Sequence, residues 1–148
     1  MKMNKKGFTL IELLAVIVIL AIIALIATPI ILGIIRDSRD NSGARAVEGY
    51  AEAITAAVTT YQGRHADEDV TQIDICITGT GCKIGATAAD RTKDATANYQ
   101  PVVYKGADVV CTGITYDNKG HLGLTGCEVA GNAGVTYTYD ASTGATKD

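Results

Sequence analysis

The 148-residue chain predicts an α+β protein: a long N-terminal α-helix, apolar in its first half and amphipathic in its second, packed on a small antiparallel β-sheet head. Three observations predict it. No charged residue stands between Glu12 and Arg36, and the interval is almost wholly apolar. After it, Val47, Tyr50, Ile54, Val58 and Tyr61 recur at helical spacing. Beyond residue 62, short alternating segments are punctuated by glycine and by Asp117-Asn118-Lys119-Gly120.

The apolar run from Leu13 to Ile35 holds roughly 23 residues, about 35 Å of helix, enough to cross a hydrocarbon layer of about 30 Å. Lys2, Lys5 and Lys6 precede it, so the N-terminus is expected inside and the rest of the chain outside. A secretory signal peptide, cut near Ala44-Arg45-Ala46, has an apolar region of only about 7–15 residues. Neither that reading nor a plain single-pass anchor explains Glu12. An acidic side chain at bilayer depth costs on the order of 3 kcal/mol, so this carboxylate should have a function and a partner.

Lys5-Lys6-Gly7-Phe8-Thr9-Leu10-Ile11-Glu12-Leu13-Leu14, continuing through Pro29, resembles the type IV pilin family, whose precursors carry a basic leader ending in glycine. The resemblance implies cleavage between Gly7 and Phe8 by a membrane-embedded prepilin peptidase, which also methylates the new Phe8 amine. Glycine suits the cut, because backbone without a Cβ can approach the enzyme closely. Glu12 lies four residues from that amine, on the same helix face. The resemblance implies that Glu12 pairs with the Phe8 amine of a neighbouring subunit and fixes axial register. In a dry filament core, either charge left alone costs several kcal/mol.

The expected organisation is a cleaved leader at 1–7, a transmembrane and filament-core helix at 8–35, an amphipathic helix at 36–62, and a β-rich head at 63–148. Ala15, Ala21, Ala24 and Ala27 would let helix backbones pack closely. Pro29 lacks the donor for the Leu25 carbonyl and Gly33 weakens the next turn, so the helix is expected to bend or open between them. Arg36, Asp37, Arg39, Asp40, Arg45, Glu48 and Glu52 lie mostly off the apolar stripe. They form either a solvated face or a set of salt bridges between subunits.

In the head, residues 70–78, 102–104, 109–116, 121–129 and 135–139 read as strands, with Asp117–Gly120 as a tight hairpin turn. Gly79-Thr80-Gly81 closes the first strand, and residues 86–98 read as loop. Four cysteines suit an oxidising exterior and allow three pairings. Cys111 and Cys127 would bridge across the hairpin with a one-residue bulge, leaving Cys76 and Cys82 to staple the Gly79–Gly81 turn. Their spacings fit zinc knuckles poorly. Gly79–Gly85 lacks the spacing of a phosphate loop. His65 and His121 have no evident acid–base partner, and Asp67-Glu68-Asp69 reads as a solvated loop with calcium as the minor alternative.

No catalytic constellation, cofactor or metal is expected, and an acidic chain of net charge −3 is a poor general binder of nucleic acid. What the resemblance implies is a structural subunit in a helical homopolymer, with adhesion and twitching motility as its uses. Its partners would be the peptidase/methyltransferase, a pilus assembly platform with its ATPase, and the cytoplasmic membrane before export to the cell surface. A pseudopilin of a type II secretion or competence system has the same N-terminus and is the alternative.

Overall fold

The structure, a computed structural model, describes residues 7–67, 72–73, 83–85, 100–117 and 119–148. Helix α1 spans Leu10–Arg64 and is followed, among the described residues, by seven strands. The chain forms two compact units, Met1–Ser38 and Arg39–Asp148.

In the first unit α1 is apolar on every side. Its best 18-residue window has a mean hydropathy of 3.2 and no buried residue, so the segment is long and apolar enough to cross a membrane. Leu25 is 78% exposed, and Ile35, the most covered large side chain here, still 44%. The opening expected at Pro29 and Gly33 is absent from this lone chain, which is α-helical through both. One missing N–H removes a single bond from a ladder that continues on either side. Thr28 donates its hydroxyl to the Ala24 carbonyl at 2.6 Å, adding a side-chain bond in the turn before the proline.

In the second unit the expected stripe is the core. Val47, Tyr50, Ile54, Val58 and Tyr61 are all buried, joined on the same helix face by Gly43, Ala51 and Ala57. They pack on a four-stranded antiparallel meander, β4 (Val109–Tyr116), β5 (Leu122–Val129), β6 (Thr136–Asp140) and β7 (Gly144–Lys147). Its inner face supplies Val109, Cys111, Leu122, Leu124, Cys127, Val129 and Tyr137. A smaller antiparallel sheet joins β1 (Gln72–Ile73), β2 (Lys83–Gly85) and β3 (Gln100–Pro101) in that order. The strand expected at 102–104 is therefore displaced to β3, and residues 102–105 carry no strand. Tyr104 anchors that segment instead, donating to the Ala46 carbonyl at 3.0 Å and meeting Tyr50 edge to face at 5.6 Å.

Cys111 and Cys127 form a disulfide, as the hairpin geometry suggested, but without the expected bulge between them. β4 and β5 keep one register from Val109↔Val129 through Cys111↔Cys127 to Tyr116↔Leu122. The turn is centred on Lys119, so the two cysteines face each other directly, their Cα atoms 3.9 Å apart. The irregularity lies instead between β5 and β6, where the register shifts between Leu124 and Cys127 and Gly126 adopts a φ of 58°. That shift lets Leu122 and Leu124 face the core on one side of it and Cys127 and Val129 on the other. Cys76, Cys82 and the 79–81 turn lie outside the described residues.

β7, unforeseen in the sequence, holds the sheet edge against α1. Lys147 pairs with Asp40 at 2.7 Å, and the Ala145 N–H donates to Glu48 at 3.4 Å. A helix carboxylate thus occupies a strand-edge donor that would otherwise invite pairing with another chain. Nearby, Asn132 donates to the Arg39 carbonyl and to the Tyr137 hydroxyl.

Gly43 sits against the buried Tyr137 ring, where a Cβ would collide with the hydroxyl end. Gly49 faces Tyr104 with a Cβ position 3.4 Å from the nearest ring atom, an ordinary contact. Gly43→Ala should therefore destabilise the head by about 1–3 kcal/mol through overpacking. Gly49→Ala should be neutral or stabilising by up to about 1 kcal/mol, since alanine is the better helix former. Urea unfolding of the full chain in detergent, followed by near-ultraviolet circular dichroism, measures both; equal stability of the two variants would contradict this packing.

Candidate processing and assembly site

Residues 7–9 precede α1 and carry no regular structure. Around Gly7 no atom lies within 4 Å of the place a Cβ would occupy, and Phe8 is 88% exposed. The Gly7–Phe8 bond thus lies on irregular, uncovered backbone.

Thr9 and Glu12 close a reciprocal cap at the start of the helix. The Thr9 backbone N–H and hydroxyl donate to Glu12 Oε2 at 2.9 and 2.8 Å, and the Glu12 N–H reaches Thr9 Oγ1 at 3.4 Å. The Thr9 carbonyl accepts from the Glu12 and Leu13 amides. This is a capping box: the Thr9 and Glu12 backbone donors are satisfied inside the chain rather than by water. Thr9 goes unremarked in the sequence, although Thr-x-x-Glu ahead of an apolar run is the box's signature. The Glu12 carboxylate therefore has hydrogen-bond donors in the lone subunit. Among the described residues no cation meets it. Gly7, Phe8, Thr9 and Glu12 line one shallow recess, so the Gly7–Phe8 bond and the Glu12 carboxylate share a surface.

The description "Prokaryotic N-terminal methylation motif" matches residues 2–28. The chain carries the class III leader of type IV pilins. No curated protein and no solved structure gives a significant match. The motif supports a prepilin of the type IV pilin or pseudopilin-like kind, and it implies processing by a prepilin peptidase and assembly into pilus-like machinery. The leader and the apolar first half of α1 together fit membrane insertion.

Elsewhere, the hairpin between β4 and β5 corrects one expectation. His121 has a partner: its Nδ1 lies 2.8 Å from Asp117 Oδ2, while Asp117 Oδ1 accepts the Lys119 and His121 backbone amides at 3.0 and 2.8 Å. One aspartate thus ties the turn together. The hydrogen bond that Asp117 accepts from the ring, with its charge and that of Asp140, holds the His121 pKa above its ordinary value. The same His121 bond holds the Asp117 carboxyl below the usual range. His65 stacks on Tyr61 and lies 3.2 Å from its carbonyl. Asp67 is exposed; Glu68 and Asp69 lie outside the described residues. Among the described residues no group of three or more His, Cys, Asp or Glu is placed to hold a metal ion.

The sign of the pH dependence follows. A raised histidine pKa contributes stability that is full below the unfolded value of about 6.5 and lost as pH rises through the folded value. A lowered aspartate pKa contributes above about 3.8 and is lost as pH falls through its folded value. The turn is therefore tightest between those limits. Titration of the His121 ring by NMR should show a midpoint above 6.5 that returns toward the ordinary value in Asp117→Asn. An identical midpoint in the variant would show that the pair does not set it.

Proposed function

We propose that this chain is a structural pilin, made as a membrane-inserted precursor, cut after Gly7, methylated on the Phe8 amine and polymerised through its apolar helix into a surface filament. One observation carries the reading: the leader is joined to a helix whose apolar side chains are uncovered over its whole circumference. Lipid can cover such a surface in storage, and parallel copies of the same helix can cover it after export. A head with a small core needs only to fold outside and coat the fibre, and the Cys111–Cys127 disulfide suits an oxidising exterior.

Cleavage turns the Phe8 amide into a cationic amine, and Glu12 is the acidic residue of the apolar segment. In the proposed filament the Phe8 amine of one subunit supplies the charge that Thr9 cannot. The capping box keeps the carboxylate hydrogen-bonded until then. The peptidase/methyltransferase and an assembly platform with its ATPase are the partners this reading requires, and adhesion and twitching motility the uses it proposes.

Intact mass on material sheared from cells tests the reading. Abundant sheared protein beginning at methylated Phe8 is expected, with filament yield falling at least about tenfold in Glu12→Ala, since removing one partner of a buried charge pair costs several kcal/mol. Processed chain found only in membranes, with no sheared fibre, would favour a pseudopilin in a short periplasmic or sub-surface assembly.

A further inference from the structure

Just past the apolar run stand two arginines and two aspartates, Arg36, Asp37, Arg39 and Asp40. Asp40 is engaged: Lys147 of β7 holds its Oδ2 at 2.7 Å, and Lys147 and Asn132 hold its pKa below the usual carboxylate range. Its side chain is still 28% exposed, and a carboxylate can accept from further donors. Arg36 is different. It is exposed, and among the described residues no carboxylate meets its side chain, not even Asp40 one helical turn ahead. A basic residue four before an acidic one is the poorer order for a bond within one helix.

We infer that Arg36 of one subunit pairs with Asp40 of the next, making a second register contact in the filament. The inference rests on the pilin reading above and on the Glu12–Phe8 pairing in it. The neighbours of a helical polymer are related by one rotation and one rise, so an axial offset established at one level holds at every level. Pairing Glu12 with a neighbour's residue 8 offsets the two helices by four residues, about 6 Å. Where α1 runs along the filament axis, the same offset brings the neighbour's residue 36 level with residue 40. Arginine and aspartate stand at those two positions. The occupant is thus a second copy of this chain, and the complementarity of charge repeats from subunit to subunit without closing. Each Asp40 would then join its own Lys147 to a neighbour's Arg36, which links a subunit's C-terminal strand to the axial contact. Arg36 sits at the edge of the apolar surface that the filament buries, where water is partly excluded and a bidentate arginine–carboxylate pair is stronger than at an open surface.

The test uses full-length chain expressed beside a prepilin peptidase and the assembly machinery. Arg36→Asp and Asp40→Arg alone should each lower sheared filament yield by about tenfold, the scale of one lost charge pair plus like-charge contact, and the two together should restore it. Because Asp40→Arg also loses its bond to Lys147, a second measurement reads the contact itself, in filaments that have formed, rather than their yield. Arg36→Cys with Asp40→Cys in one chain, oxidised in the filament, should give a ladder of covalent dimers, trimers and higher species, which neither single variant gives. Filaments of the double-cysteine variant that yield no ladder would overturn the contact, as would single charge reversals that leave yield unchanged. If the unmodified chain makes no filament, the pilin reading itself fails; if it makes filaments that need Glu12 but ignore residues 36 and 40, only the second contact fails.

Discussion

The rest of this molecule depends on one constraint: an apolar helical surface that nothing within its unit covers. Burying a single large aliphatic side chain stabilises by about 1.5–3 kcal/mol, and the segment between Glu12 and Arg36 exposes many such side chains at once. Such a helix must always have a cover. The basic leader, with Lys2, Lys5 and Lys6, fits insertion into a membrane, and in the proposed reading a cut after Gly7 changes what can cover the helix next. A carboxylate inside this surface adds a polar condition to the apolar one. The cap between Thr9 and Glu12 meets that condition in the lone chain with neutral donors. An ionised partner meets it better in a dry interface.

The head answers a different need, that of folding on a small core. Its apolar contribution from α1 is narrow, a stripe centred on Val47, Ile54 and Val58 with tyrosines on either side. Burial pushes the Tyr50 hydroxyl pKa up to about 12, a sign of how dry the stripe is. The sheet meets that stripe closely because Gly43 leaves room for the hydroxyl end of the buried Tyr137 ring. The disulfide closes a hairpin of sequence separation 16, for which loss of chain entropy in the unfolded state gives about 3 kcal/mol. On the outer face, threonines stand over glycines of the neighbouring strand. Thr112 and Thr115 turn their hydroxyls back to the Thr125 and Gly123 carbonyls.

Much of this was legible in the residues. The leader and Glu12 stand out because their chemistry is local and contradicts the apolar run around them. The helix stripe and the β4–β5 hairpin are equally plain, since their periods of about 3.6 and 2 persist over many residues. What escaped was decided by spatial neighbours. The edge strand β7 is Gly-Ala-Thr-Lys, with no alternation of its own, and it is a strand because β6 and the carboxylates of Asp40 and Glu48 hold it. His121 looked isolated until the turn folded Asp117 back onto it. Pro29 suggested a break, yet one missing donor does not interrupt a helix whose remaining bonds persist on both sides. The expected bulge between the cysteines failed by one residue of turn length; the sheet's register shift lies instead between β5 and β6, beside Gly126.

The central claim is that the uncovered apolar helix becomes the dry axis of a polymer, with Glu12 opposite a neighbour's new N-terminus. A helical reconstruction of sheared filaments at side-chain resolution tests it most directly. The account predicts residues 10–35 packed around the fibre axis, with the Glu12 carboxylate within about 3 Å of the Phe8 nitrogen of an adjacent subunit, the distance of a charge-assisted hydrogen bond. A fibre built from head-to-head contacts with the apolar helices splayed outside, or one in which Glu12 still caps Thr9 and no neighbouring amine approaches it, would contradict it.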